Sequence, residues 1–481
     1  MEPTGQRWTA LAAGVLVGGG LLALAPAGVP IPVGGPVPSG ASAPPGTAGA
    51  AGAAAAAGAL ARAGISPLSG GSGTAEAPVP SGDAMSYGAA AGTTYYVDSR
   101  RGDDSAPGTS AATAWRSLGA VDAAGLTAGD TVRLRRGGTW TGTLRLRGRG
   151  APGAPITVAT YGEGVSPKIT GRGGNCVVIT GSHVRVTGIR ASGCRWAGFE
   201  VRGDRNELDA VHADRNVSGV HVTGAHNTIK NSILARNNRM SVNDRGGDDD
   251  SGAFGVLLNG DDNLVTGNLV TGSYAASHDY RTDGAAVEVY NGDRNRVTHN
   301  IARNNETFAE LGAEKGRTAT GNLFAHNLVT SSRRRGSFLV TRGARHAAGP
   351  VRGTVAVHNT VRLPARDTIG WSCHGGCSPA ILKLRNNVIV VGGEMGYEDG
   401  RGADEAGSVY QGRTIEFELG PGSVVADPRF RDAATLRPGH ASPALRRGFT
   451  LDPSWYGGAA LARDLSGRPL PPAPAAGAYQ R

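Results

Sequence analysis

The chain has 481 residues, of which 77 are Gly and 27 Pro, with 4 Cys, 5% aromatic residues and a formal charge of +10. Glycine near one residue in six without a strict Gly-X-Y period excludes collagen, and the frequency of Val, Leu and Ile after residue 94 excludes wholesale disorder. At ~150 residues per domain the length suggests about three domains, a prior that elongated repeat proteins break.

Residues 9 to 29 (TALAAGVLVGGGLLALAPAGV) form one apolar run behind a short segment holding Arg7, with small residues at Ala23, Ala25 and Ala27. The pattern predicts a signal peptide over residues 1–29, removed on export. An uncleaved anchor is the alternative, because the run is about long enough to cross a bilayer. Either way the bulk of the chain is expected outside the cytoplasm, as a secreted protein with no stable membrane association once cleaved. Residues 30–93 are Ala, Gly, Pro and Ser with almost no charge, which cannot bury enough apolar surface to offset chain entropy; they read as a disordered linker. Residues 94–481 are read as one domain, expected to act as a monomer.

Without Arg7, Arg62, Glu2, Glu76 and Asp83 of the first 93 residues, that domain holds 47 basic and 36 acidic residues. A basic surface on an exported protein suggests an anionic polymer outside the cell, a polysaccharide rather than nucleic acid. The bland alternative is solubility plus an arginine-rich composition. In an oxidising compartment the cysteines can pair. Cys176 and Cys194 lie about one repeat apart, and Cys373 and Cys377 frame a CHGGC loop, so two local disulfides are expected. A metal site at CHGGC with His374 as third ligand is the weaker reading, since the spacing matches no common zinc pattern.

Between residues 198 and 330 a theme recurs: an apolar-x-apolar strand, a glycine turn, an asparagine, a second apolar strand and a polar turn ending in asparagine. Its copies are GFEVRGDRNELDAVHADRN (198–216), GVHVTGAHNTIKNSILARNN (219–238), GVLLNGDDNLVTGNLVTGS (255–273) and AVEVYNGDRNRVTHNIARNN (286–305). The equivalent asparagines Asn206, Asn227, Asn263 and Asn295 are spaced by 21, 36 and 32 residues, so charge-rich insertions sit at 239–253 and 274–284. A period near twenty with alternation inside it means stacked coils of short parallel strands. The inward set includes Phe199, Val201, Val220, Val222, Val256, Leu258, Val287 and Val289. The asparagines are expected to stack as a ladder, helped by their tolerance of left-handed backbone. A leucine-rich repeat is the rival at this period, but its leucine pattern is absent. The reading is an all-β, right-handed parallel β-helix, the hand following from the rule for parallel crossovers.

On these repeats the chain resembles the right-handed β-helix superfamily of pectate-lyase-like carbohydrate-active proteins, over about residues 94–481. The stretch YYVDSRRGDDSAPGTSAATAWRSLGAVDAAGLTAGDTVRLRRGGTW is similar to the family's opening, which implies an extended strand, an N-terminal capping helix and a strand after the Gly-Asp turn. ADPRF (426–430), SPALRRG (442–448) and DLSGRPLPPAPAAGAYQR (464–481) are similar to its closing segment. Arg446-Arg447-Gly448 stands where the family has Asp-Ala-Gly, so the terminal turn is expected to differ.

In apolar-x-apolar strands the middle residue points outward, which predicts a column of Glu200, His221, Leu257 and Glu288, with Glu310 of TFAELG next. The insertions add Asp248, Asp249, Asp250, His278, Asp279 and Asp283, while Glu314, Lys315, Arg342 and Arg345 follow. Charge so concentrated reads as a groove built by loops on a rigid scaffold.

Two chemistries need such a cluster. A lyase removing the proton alpha to a uronate carboxylate would use Ca²⁺ on Asp248, Asp249 and Asp250, Lys315 as base and Arg342 against the uronate. Return of the proton to the opposite face would make it an epimerase. A glycoside hydrolase would use two carboxylates, Glu288 with Glu310 or Asp283 with either. Tyr290, His278 and Arg345 are candidate substrate contacts. Cleavage of an acidic polysaccharide by β-elimination is the favoured expectation; a glycan-binding β-helix without catalysis is the non-enzymatic alternative, opposed mildly by the scarcity of outward aromatics.

Overall fold

The computed structural model describes residues 92–171, 173–247, 249–451 and 461–480. The signal-peptide segment, nearly all of the linker and Asp248 lie outside the described residues. Within them the chain winds into stacked coils whose strands form three long parallel sheets of 12, 11 and 12 strands. The first runs from Thr94–Val97 to Asp404–Ala406, the second from Leu144–Leu146 to Thr414–Glu416, and the third from Thr139–Thr141 to Val424–Val425. The second sheet carries the site described below.

Short strands suffice because each needs only to place one or two side chains inward. In Glu207–Asp209 and Thr228–Lys230 the central Leu208 and Ile229 are buried between partly exposed neighbours. In the second sheet Phe199, Val201, Val220, Val222, Val256, Leu258, Val287 and Val289 are all at most 1% exposed, as the alternation required. Each such side chain contributes roughly 1.5–3 kcal/mol of burial, shared only with the coils above and below.

The corners are held by asparagine. Asn206 N–H donates to Asn227 Oδ1, Asn227 to Asn263 and Asn263 to Asn295, at 2.8, 2.8 and 2.9 Å. A second ladder at the next corner joins Asn268, Asn300, Asn327, Asn359 and Asn387 at 3.0 Å per step. One expectation is corrected here. The left-handed residues are not these asparagines but those preceding them, Arg205, His226, Asp262 and Arg294, with φ between 54° and 58°. The corner needs one left-handed residue to turn the chain, and the asparagine that follows then has its N–H aimed along the stack.

Both cysteine pairings form, Cys176 with Cys194 and Cys373 with Cys377. The expected capping helix is reduced to Leu118–Ala123, whose Ser117 hydroxyl accepts from Ala120 N–H. At about 9 Å it is too short to cover the end of the stack by itself. It buries Leu118 and Val121 against the first coils, and no longer helix is present among the described residues. The closing segment runs back along the outside of the coil. Leu436, Leu465 and Tyr479 pack on the outward side chains Leu269, Ile301 and Leu328, while Leu451 and Leu461 pack on Leu323, Ala325, Val355 and Val357. Outward positions under it are accordingly apolar, where earlier coils carry Arg185 and Glu207.

Candidate active site

Parallel register stacks the outward residues of the second sheet rung on rung: Glu200 on His221, His221 on Leu257, Leu257 on Glu288 and Glu288 on Glu310. The column runs in the order read from the repeat, and Val340 continues it. It floors a groove of about 1440 Å³ that reaches Trp196 at one end and Arg413 at the other. At one strand spacing per rung the groove is roughly 40 Å long.

The insertions form one wall. Residues Met240–Val242 pair antiparallel with Ser251–Gly252, and Ala275–Ser277 with Arg281–Asp283. Asp250 and Asp279 clasp the two together. Asp250 Oδ2 accepts from the Ser277 hydroxyl at 2.7 Å and from His278 N–H at 2.7 Å, and its Oδ1 accepts from Asp244 N–H at 3.0 Å. Asp279 Oδ2 in return accepts from Asp249 and Asp250 N–H at 2.9 and 3.1 Å. Asp250 therefore spends both oxygens on N–H and O–H donors, which leaves it a poor ligand for calcium. No group of three His, Cys, Asp or Glu side chains among the described residues is arranged to hold a metal ion. Asp248, the third residue of the expected calcium set, lies outside the described residues.

Asp283, at the end of the second insertion, reaches the groove beside Glu288 and Glu310. Burial first, then the charge of Glu310, raises its carboxyl to about 8. Glu288 is pushed well above the usual carboxylate range by burial, then by Glu310 and Asp283, with Arg342 pulling the other way. Its side chain still touches the open groove, so the proton it holds can be delivered to a ligand. Arg342 Nη2 donates to Glu310 Oε1 at 2.5 Å. Its guanidinium is only 10% exposed, and Nε and Nη1 have no hydrogen-bond partner among the described residues.

Glu306, His346 and Trp196 line the groove without having been singled out from sequence. Glu306 is raised to about 7 by burial, partly opposed by the Thr282 hydroxyl donating to Oε1 at 2.9 Å. His346 falls to about 4, from burial and then from Arg342. His374 shifts down for the same reasons, on a loop whose Gly375 and Gly376 N–H groups donate to Asp399. At the far end Trp196 Nε1–H donates to His221 Nδ1 at 3.2 Å, so His221 Nε2 carries the proton and donates to Asn259 Oδ1 at 2.8 Å. His221 is thus a neutral link rather than an idle surface group. Trp196 also supplies an aromatic groove wall that adds to Tyr290.

Other expected residues are not brought in. Lys315 lies in an exposed turn, because its strand ends at Gly312 and the chain leaves the sheet there. His278 is exposed at the clasp, with Nδ1 3.0 Å from Asn243 Oδ1, and Arg345 is exposed with Nη2 3.4 Å from Asp399 O. Neither lines the groove. The lining holds nine carboxylates and seven arginines, and burial pushes Asp283, Glu288 and Glu306 among those carboxylates toward the neutral form.

Residues 175–360 match the family described as right handed beta helix region. No curated protein matches the sequence. Among solved structures, the GH136 lacto-N-biosidase of Eubacterium ramulus is similar with a TM-score of 0.54 at 16% identity, covering 70% of this chain and 67% of that one. The pectate lyase Pel9A is similar with a TM-score of 0.54 at 16% identity, covering 82% of this chain and 98% of that one. At such identity the likeness is one of fold: a right-handed parallel β-helix.

Proposed function

We propose that the protein is a glycoside hydrolase that cleaves an extended polysaccharide lying along the groove, with Glu288 as general acid and Glu310 as its carboxylate partner. The apolar run at residues 9–29 supports a site of action outside the cell. The observation that carries the reading is the pairing of Glu288 with Glu310 on adjacent rungs in opposite environments. Glu288 is held protonated by burial and neighbouring carboxylates, while Glu310 is bonded to a guanidinium. A carboxyl kept protonated beside one held by a guanidinium is the arrangement of an acid and its partner.

Adjacent rungs are roughly 4.8 Å apart, close to the ~5–5.5 Å carboxyl separation of retaining enzymes. In that mechanism the Glu288 proton passes to the glycosidic oxygen as its bond to the anomeric carbon breaks, and Glu310 Oε2 forms the ester to that carbon. Water then attacks the ester, giving its proton to the Glu288 carboxylate and freeing Glu310. Arg342 fixes Oε1 and leaves Oε2 for the attack.

The elimination expected from sequence finds Arg342 in the groove but not its lysine base, since Lys315 is outside. A fold common to a lyase and a lacto-N-biosidase does not choose between them.

Incubation with a panel of neutral and acidic polysaccharides separates the readings. New reducing ends without ultraviolet absorbance are expected. An unsaturated, absorbing product would make the protein a lyase, and binding without new ends a glycan-binding surface. Glu288→Gln and Glu310→Gln should each lower kcat by about 10²–10⁴-fold; full activity in both would move the site elsewhere.

A further inference from the structure

The groove changes character along its length. Over Glu288 and Glu310 it is acidic, but where it reaches Trp196 it is apolar. Phe254, Leu257 and Ala285 are at most 4% exposed there, and Trp196, only half-buried, packs on them. The indole is thus the outermost layer of that cluster. It meets the rings of His221 and Phe254 at 84° and 75°, and no ring stacks on it among the described residues.

The position of this indole is fixed from several sides. Cys194, two residues earlier, is bonded to Cys176, and Arg195 N–H donates to Gly174 O at 2.9 Å. Trp196 O accepts from Val217 and Ser218 N–H at 3.0 and 3.1 Å. The ring is oriented by Nε1–H donating to His221 Nδ1, and His221 is held in turn by Asn259, whose Nδ2 donates to Tyr290 O at 2.8 Å. The exposed face of a flat apolar ring contributes nothing to folding. Held this firmly, it offers a ligand contact area at little cost in ordering.

Around the indole the groove is polar without net charge. Glu200 Oε1 accepts from Arg202 Nε at 2.6 Å, and His221 is neutral in the tautomer its partners impose. Asn175 Oδ1 accepts from Ala197 N–H at 2.9 Å. The Nη groups of Arg202 and the Nδ2 of Asn175 have no partner among the described residues and can donate to hydroxyl oxygens. An apolar platform rimmed by donors suits a pyranose ring, which has a face of C–H groups and hydroxyls at its edge.

We propose that Trp196 is the platform of a distal subsite, where the glycan lays one neutral pyranose residue against the indole and Arg202 and Asn175 donate to its hydroxyl oxygens. His221, which orients the indole, is two rungs from Glu288. That is roughly 10 Å, so the sugar on Trp196 is not one of the two joined by the bond that is cleaved. The platform lengthens the stretch of chain the protein recognises. This deepens the hydrolase reading and rests on it for the place of that bond.

The test uses the Glu288→Gln protein and calorimetry at neutral pH, with cello-, manno-, xylo- and galacto-oligosaccharides, each as disaccharide and hexasaccharide. In at least one series the hexasaccharide should bind about tenfold or more tighter than the disaccharide. Adding Trp196→Leu, which still covers Leu257 and Phe254 but has no flat face, should remove most of that gain and leave the disaccharide unchanged. Three results would overturn the platform: no gain in any series, a gain that survives Trp196→Leu, or equal weakening of both lengths, which would make Trp196 a structural residue. Cleavage is scored separately on the wild-type protein. A gain that depends on Trp196 without new reducing ends sinks the hydrolase and leaves the platform; cleavage with a gain indifferent to Trp196→Leu does the reverse.

Discussion

Arg342 reaches Glu310 at 2.5 Å, yet for Glu288, one rung away, the same guanidinium only partly offsets burial and two neighbouring carboxylates. One cation serving two acids unequally is what separates the roles proposed for them.

The pH dependence of activity follows from that inequality. Glu288 must be protonated to act as acid, and its proton is retained well above the usual range; Asp283 beside it releases its own at about 8. Activity should therefore persist through neutrality and fall only in alkaline solution, as Glu288 loses the proton that burial holds on it. Asp283→Asn removes a charge that helps Glu288 keep its proton, so its alkaline limb should move to lower pH. The check is kcat/KM from pH 5 to 10. A wild-type alkaline limb below pH 6 would exclude Glu288 as the acid.

The same carboxyl has a stability consequence. Asp283 has a folded value of about 8 against 3.8 for the free side chain, so between those values the folded state holds a proton the unfolded state has released. Stability from this group is thus present at low pH and lost as pH rises through about 8. Asn cannot ionise and keeps an oxygen to accept from Gly284 N–H, now 2.7 Å away. Asp283→Asn should stabilise the protein by about 1–3 kcal/mol at pH 9, less than the full shift implies because the group is partly solvated, and by little at pH 4. Thermal melts at the two pH values decide it; equal shifts at both would mean that ionisation is not the cause.

The ladder residues make a third case. Asn300 Oδ1 accepts from Asn268 N–H and Nδ2 at 3.0 Å each, while Asn300 Nδ2 donates to Val265 O at 2.9 Å and to Asn327 Oδ1 at 3.1 Å. Asn300→Ala would take the acceptor from the buried Asn268 N–H and remove one bond each from Asn268 Nδ2, Val265 O and Asn327 Oδ1. A loss of about 3–5 kcal/mol is expected in urea titration. A loss under about 1 kcal/mol would show that water or relaxation replaces the ladder.

Much of this was legible because it depends on one period. Val287 in, Glu288 out and Val289 in could be read from neighbours in sequence, and matching copies then placed Glu288 on Glu310. What was not legible depends on corners and loops. Lys315 looked close to Glu310, but five residues carry the chain past the strand end and out of the groove. The acidic run did not show that Asp250 clasps the other insertion, because its donors, Ser277 and His278, arrive from there. Glu306 and His346 sit just outside strands, where no alternation indicates which way a side chain faces.

The last expectation concerns histidines far from the groove. His326 stacks between His299 and His358, ring centroids 5.0 Å on each side, and all three sit at left-handed corners with φ of 53–56°. The returning C-terminal segment covers them, with His299 Nε2 3.0 Å from Arg463 O. Burial depresses all three: His326 well below its ordinary 6.5, His358 to about 4, and His299 in the same direction. Folded values below the unfolded one mean that the histidines are neutral when folded, so their contribution is complete above 6.5 and is lost as pH falls toward about 4. Protonating one places a cation against two rings under an apolar cover. The segment over residues 461–480 should therefore loosen first, seen as proteolytic cuts there near pH 4.5 while the strands keep their far-ultraviolet circular dichroism. His326→Asn suits the left-handed corner and cannot charge, so it should shift the acid transition downward by about half a pH unit or more. An unchanged midpoint in that variant would mean that the carboxylates, not the stacked imidazoles, set the acid limit.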